Sequence, residues 1–279
     1  MEEAMVSMMK TSASLWKVFV EKAWAMIAQP PSQVSPRSWQ FVLQGLWPTF
    51  KVIGSALVVL FFLISWAQES LDLKDDFDWK KIGLLMIRIG LINAIYVSVI
   101  SWIPQFLNGV ATFVERISPA RHNVDINRIL EGLPDSFDTG VIDEIVGAFF
   151  GIVCIVAAAV CGAMILWAII GRAFKLFILV PIGALPLSTV AGGRGLSRAA
   201  IAWIKEFLIA ACEVIIIAIA LRISAIFLND NFIANLLGEY APDGDLGKIA
   251  VCALSIICNY ALTVGAVKGA ETTLRHLFG

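Results

Sequence analysis

Ile145-Val-Gly-Ala-Phe-Phe-Gly-Ile-Val-Cys-Ile-Val-Ala-Ala-Ala-Val-Cys-Gly-Ala-Met-Ile-Leu-Trp-Ala-Ile-Ile-Gly171 decides the fold. About 20 apolar residues carry a helix across ~30 Å of hydrocarbon, and this run is longer and holds no charged side chain. Comparable runs cover 47–67, 82–103, 199–228 and 249–267. Of 279 residues, 59% are hydrophobic and 15% charged, against ~25% charged in soluble domains. The chain reads as an all-α polytopic transmembrane helical bundle. Its net charge of −1 gives no whole-chain argument for nucleic acid or acidic substrates.

Outward from 145–171, the N-terminal side opens with an amphipathic stretch. Lys10, Ser14, Lys17 and Glu21 repeat at helical spacing on one face, with Met8, Leu15, Phe19, Ala23 and Met26 on the other. Such a stretch lies in the membrane interface or packs on a neighbour. Pro30-Pro31 ends it. Residues 1–46 are thus expected to be an interfacial segment, and 47–279 a transmembrane domain with an extramembrane loop at 104–144. Trp47 and Trp66 sit where interfacial anchors are expected. The acidic start, Met1-Glu2-Glu3, does not match a signal peptide. The run Asp72, Asp75, Asp76, Asp78 lacks the glycine and terminal glutamate of a calcium loop. Within 104–144, Phe106, Leu107, Val110, Phe113, Val114 and Ile117 trace a second interfacial helix starting at Pro104. The loop is either a contact surface for partners or a connector.

Gly147, Gly151, Ala158 and Gly162 fall on one face of the quoted run, where small side chains let helix backbones approach closely. The contact lies either within the chain or between subunits. Beyond Gly171, the apolar part 176–190 is short, and Pro181, Gly183 and Pro186 interrupt it. Broken helices are tolerated at membrane depth where protein or water surrounds them. A re-entrant element is expected there, giving five spans; if it crosses fully, there are six. Counting Lys and Arg at span ends favours five spans, with the N-terminus outside and the C-terminus cytoplasmic.

Charges inside the runs are the candidate functional residues: Arg88, Lys205, Glu206, Glu213 and Arg222. An ionised group at bilayer centre costs at least ~2.5–3.5 kcal/mol, so such groups turn inward. Arg88 and Glu206 lie at similar depth, each ~9 Å inside its run, so this pair is geometrically allowed. Glu206 and Glu213 share a helix face, whereas Arg222 points the other way, toward the outer surface. Glu213 lies ~12 Å deeper than Arg88. Two readings stand for it: a side chain facing a water-accessible cavity or subunit interface, or a structural polar group.

No catalytic constellation, metal site or cofactor motif is expected. Cys154, Cys161, Cys212, Cys252 and Cys258 lie in apolar runs without CxxC spacing, and read as small buried hydrophobes. His122 and His276 are far apart in polar segments. A self-contained transporter of ions or small solutes usually shows inverted repeats with matching broken helices. Only one break is present here. That class remains the alternative to a membrane subunit of a larger machine.

The order of elements resembles the TrbL-type polytopic inner-membrane proteins of conjugative type IV secretion systems. The features that carry the resemblance are the amphipathic N-terminus, Leu60-Phe61-Phe62-Leu63-Ile64, and the charged loop with Phe77-Asp78-Trp79. The segment Arg172 to Val190, with Ile182-Gly183-Ala184-Leu185-Pro186-Leu187, completes them. The resemblance implies a multi-pass, homo-oligomeric channel component in the inner (cytoplasmic) membrane, surrounded by lipid. Its implied partners are other channel subunits, secretion ATPases and a coupling protein, and its implied cargo is a relaxase–DNA complex. The sequence as read to Gly279 does not show the long soluble C-terminal extension of some such proteins, so fewer partner contacts are predictable.

Overall fold

The computed structural model describes residues 2–72, 79–117, 141–192, 197–230, 232–238 and 245–278, all but a few of them helical. The chain packs as two units: Met1–Ala28, Phe113–Ile170 and Glu213–His276 form the first; Gln29–Thr112, Gly171–Cys212 and Leu277–Gly279 form the second. The elements in order are α1 (Glu2–Ile27), α2 (Pro31–Val34), α3 (Pro36–Gln40), a π-helical turn (Phe41–Leu46) and α4 (Trp47–Asp72). There follow α5 (Trp79–Ile117), α6 (Val141–Ile182), α7 (Ala184–Ser188), a 3₁₀ turn (Thr189–Gly192), α8 (Arg198–Asn229), α9 (Phe232–Gly238) and α10 (Asp245–Phe278).

Four helical stretches are long and apolar enough to cross a membrane: Pro36–Gln68, Ile145–Gly192, Arg198–Asn229 and Gly247–Phe278. A fifth counts if the bent pair Ile89–Val99 and Ser101–Ile117 is one span. This is a multi-pass helical membrane protein. The bend, 54°, has a local cause. Pro104 lies inside α5, and a proline ring clashes with the carbonyl four residues earlier and removes its hydrogen bond. That carbonyl belongs to Ile100. The expected second span and the helix after Pro104 are therefore one bent element. Arg88's side chain, the acidic residues Asp75, Asp76 and Asp78, and residues 118–140 of the expected loop lie outside the described residues.

Two expected boundaries move. The first span begins before Trp47, because Pro36 to Gln68 forms a single helical stretch. Trp47 is not an interfacial anchor: it is fully buried, edge-on to Tyr96 with ring centroids 6.3 Å apart. The short segment after Arg172 does not begin a new helix. α6 runs through Arg172 without interruption to Ile182, 42 residues in all, and the break falls at Gly183.

In the first unit, α1 packs on α6 and α10. Met9, Ser12, Trp16, Val20, Ala23 and Ile27 are its buried face. Ser12 donates to the Cys154 carbonyl at 2.9 Å, and Trp16 stacks on Tyr260 at 4.2 Å. Of the two readings of this segment, packing on a neighbour is the one seen. The small-residue stripe of α6 is what admits it. A Cβ at Gly151 would stand 2.8 Å from Met8 Cβ, and one at Gly162 would strike the Phe19 ring. Gly147 and Ala158 are buried on the same helix. The stripe is therefore filled from within the chain.

In the second unit, Trp39, Val42, Trp47, Ile92, Tyr96, Leu176, Val180, Trp203 and Phe207 belong to one buried apolar cluster. It brings α4, α5, α6 and α8 around the break.

Candidate functional site

The site is the proline break together with the charged rungs beside it, all within the second unit. Pro181 and Pro186 each remove a backbone donor, so carbonyls in this stretch need other partners. The carbonyls so left are those of Phe177 and Ile182, four residues back; side chains from two other helices bond to neighbouring carbonyls of the stretch. Tyr96 of α5 donates to the Ala184 carbonyl at 2.6 Å. The Trp203 indole of α8 donates to the Leu179 carbonyl at 2.9 Å. Locally, Ser188 donates to Leu185 O at 2.5 Å and Thr189 to Pro186 O at 2.6 Å. The broken segment thus has a fixed shape set by α5 and α8.

Two glycines make those reaches possible. A Cβ at Gly54 on α4 would stand 2.8 Å from both the Ala184 oxygen and the Tyr96 hydroxyl. A Cβ at Gly183 would collide with the Trp203 indole. Gly183 is helical in backbone conformation, so its requirement is space for the indole, not an unusual torsion.

About two and three turns before the break, α6 presents two cations to α8. Arg172 is 9% exposed. Its Nε donates to Ala210 O at 2.8 Å and its Nη2 to Ala211 O at 3.3 Å. Lys175 Nζ lies 3.5 Å from Glu206 Oε2, both side chains about one-third exposed. The cation seen with Glu206 is therefore Lys175, from the helix that carries the break. Sequence spacing allowed Arg88, whose side chain lies outside the described residues, and did not point to Lys175, because α6 was not expected to continue past Arg172. Lys205, next to Glu206, is exposed.

Glu213 continues the Glu206 face of α8 one heptad on. It is 7% exposed and engaged by the protein around it rather than isolated. Arg222, half-buried in the first unit, donates to Ile117 O at 3.4 Å. A guanidinium there meets the carbonyl end of α5, the favourable terminus for a cation.

Sequence reasoning overlooked Tyr96, Trp203 and Gly54, single residues without periodic signal. It also overlooked a polar knot in the first unit. There Ser224 of α8 and Thr263 of α10 join through their hydroxyls. Thr263 also donates to Asn259 O at 2.8 Å. These residues line a cavity of about 440 Å³ otherwise walled by Ile216, Ile223, Phe227 and Leu262. Among the described residues, no group of three or more His, Cys, Asp or Glu could hold a metal ion.

The chain matches no family model, no curated protein and no solved structure. What fold and site define together is a class: a multi-pass helical membrane protein with a pinned helix break flanked by buried charge.

Proposed function

We propose that this chain is a channel subunit of a conjugative type IV secretion machine in the inner (cytoplasmic) membrane. In this reading it is a homo-oligomer that works with other channel subunits, secretion ATPases and a coupling protein to pass a relaxase–DNA substrate. The observation that carries the reading is the break at Gly183. The segment most telling for the resemblance to TrbL-type proteins, Arg172 to Val190, is held by Tyr96 at Ala184 and by Trp203 at Leu179, from neighbouring helices. Backbone carbonyls capped this carefully at membrane depth suit a wall element that must keep its shape while cargo passes.

The reading assigns the chain no chemical step. Its work is to hold polar groups in a membrane where they would otherwise be too costly. Deleting the gene in a conjugative host and restoring it in trans tests this. Transfer frequency should fall to that of a transfer-deficient control and recover on complementation, with secretion ATPase co-purifying from membranes. Unchanged transfer overturns the reading. Ion or small-solute flux through the chain alone in liposomes would favour the transporter alternative.

A further inference from the structure

Met8 meets Gly151 and Phe19 meets Gly162, eleven residues later on both helices. Ser12 on Cys154 falls between them. α1 therefore runs parallel to α6 and in register with it, over about 16 Å at the α-helical rise. The stretch of α6 it follows lies in the middle of the charge-free run 145–171. If this run crosses the bilayer, α1 stands beside it at mid-membrane depth.

The two helices face outward with opposite chemistry. α6 exposes Phe149, Ile152, Val156, Val160 and Trp167, a surface suited to lipid. At the same depth α1 exposes Lys10 and Ser14 and turns the half-exposed Lys17 outward. Lys17 stands 4.0 Å from Glu21, with side chains 35% and 55% exposed. Among the described side chains of α1, Val18 is the only large apolar one that is exposed. Charged groups at this depth are tolerated beside a partner or a water-filled cavity, not beside lipid tails.

We propose that this outward face of α1, Lys10–Ser14–Lys17–Glu21, lines a water-filled passage at mid-membrane depth, enclosed by neighbouring copies of the chain. The charge balance argues for water over dry contact. Lys10 and Lys17 against Glu21 leave the face net positive, so copies of it repel and cannot close on one another without solvent. A cationic lining favours anions, polyanions included. The inference needs α6 to cross the membrane and does not depend on the secretion reading.

Two measurements test it without any transfer assay. In the first, the unsubstituted chain in opened membrane vesicles meets a water-soluble sulfonated succinimidyl ester, and mass spectrometry reads each lysine. Lys10 and Lys17 should be modified at rates within an order of magnitude of the exposed Lys248. Protection of both while Lys248 reacts overturns the proposal. In the second, a nitroxide at Ser14→Cys, with the native cysteines replaced by alanine, is compared with one at Val156→Cys. The Ser14 label should relax with a water-soluble nickel chelate and the Val156 label with oxygen. Relaxation by oxygen at Ser14 means lipid, and relaxation by neither means dry protein; either result overturns the proposal.

Discussion

The Tyr96 hydroxyl donates to the Ala184 carbonyl across 2.6 Å, joining two helices 88 residues apart in sequence at the break in α6. Tyr96 is 1% exposed and Ala184 fully buried, so neither water nor lipid headgroup can replace the bond. The carbonyl sits just after Gly183, in the stretch where two prolines have removed donors. Gly54 leaves the room for this contact. Three helices therefore meet at one oxygen atom.

Removing that donor is the first test. Tyr96→Phe keeps the ring against Trp47 and strips only the hydroxyl, removing one buried hydrogen bond between helices. The expected loss is about 0.5–1.5 kcal/mol, read as a lowered thermal midpoint in detergent. Gly54→Ala should be at least as damaging, because its methyl would press on donor and acceptor together. A Tyr96→Phe protein as stable as the parent would show that the break is held by Trp203 and local bonds alone.

The stripe of α6 makes the second prediction. Gly151→Leu and Gly162→Leu insert bulk where Met8 and Phe19 already lie. Overpacking of this kind costs about 1–3 kcal/mol, and the cheapest relief is release of α1. Limited trypsin digestion should then cut at Lys10 and Lys17 faster than in the parent. Oligomer size in detergent should stay the same, since the contact is internal. A change in oligomer size with α1 still protected would mean that the stripe serves an intersubunit contact.

Lys175 and Glu206 supply a third. The pair is about one-third exposed, and such pairs contribute roughly 0.2–1 kcal/mol when solvated. Lys175→Glu and Glu206→Lys alone each place like charges opposite one another. Each should lower the thermal midpoint, and the double exchange should recover most of the loss. If the double variant is no better than the worse single one, the two side chains do not act as a pair.

What the sequence made legible follows from how each feature is encoded. Membrane spans are written in about twenty residues at a time, so 145–171, 199–228 and 249–267 were readable from hydropathy alone. The small-residue stripe was equally visible, because helical spacing repeats. Its occupant was not: Met8 and Phe19 are ordinary apolar residues whose register depends on a contact 143 positions away. The Lys175–Glu206 contact was not foreseen, because a helix was ended where charge returned. Arg172 looked like a span terminus, yet its guanidinium is satisfied by carbonyls of α8, so α6 simply continues. Tyr96 and Trp203 gave no signal, because an aromatic residue reads as apolar core until its polar atom is seen against a particular carbonyl. Trp47 read as an anchor because it stands at the edge of an apolar run; its burial against Tyr96 is visible only in the fold.

Glu213 carries the last prediction. Its burial on α8, one heptad beyond Glu206, makes its charge the costliest on that face. Two residues before it, Ala211 O accepts from Arg172, so this turn of α8 already takes a guanidinium on its backbone. Glu213→Gln keeps shape and hydrogen-bonding capacity and removes only the titratable charge. Glu213→Leu removes polarity altogether and leaves the polar groups around it unsatisfied, at about 1–3 kcal/mol. If the residue is structural, Gln should preserve thermal stability and transfer while Leu loses both. If its charge serves passage, Gln should keep the thermal midpoint and lose transfer, at equal protein level in membranes. We expect the second pattern, because a site needing only a hydrogen bond would be served by an amide at far lower desolvation cost. Full transfer by the Gln variant would therefore reduce Glu213 to a packing group.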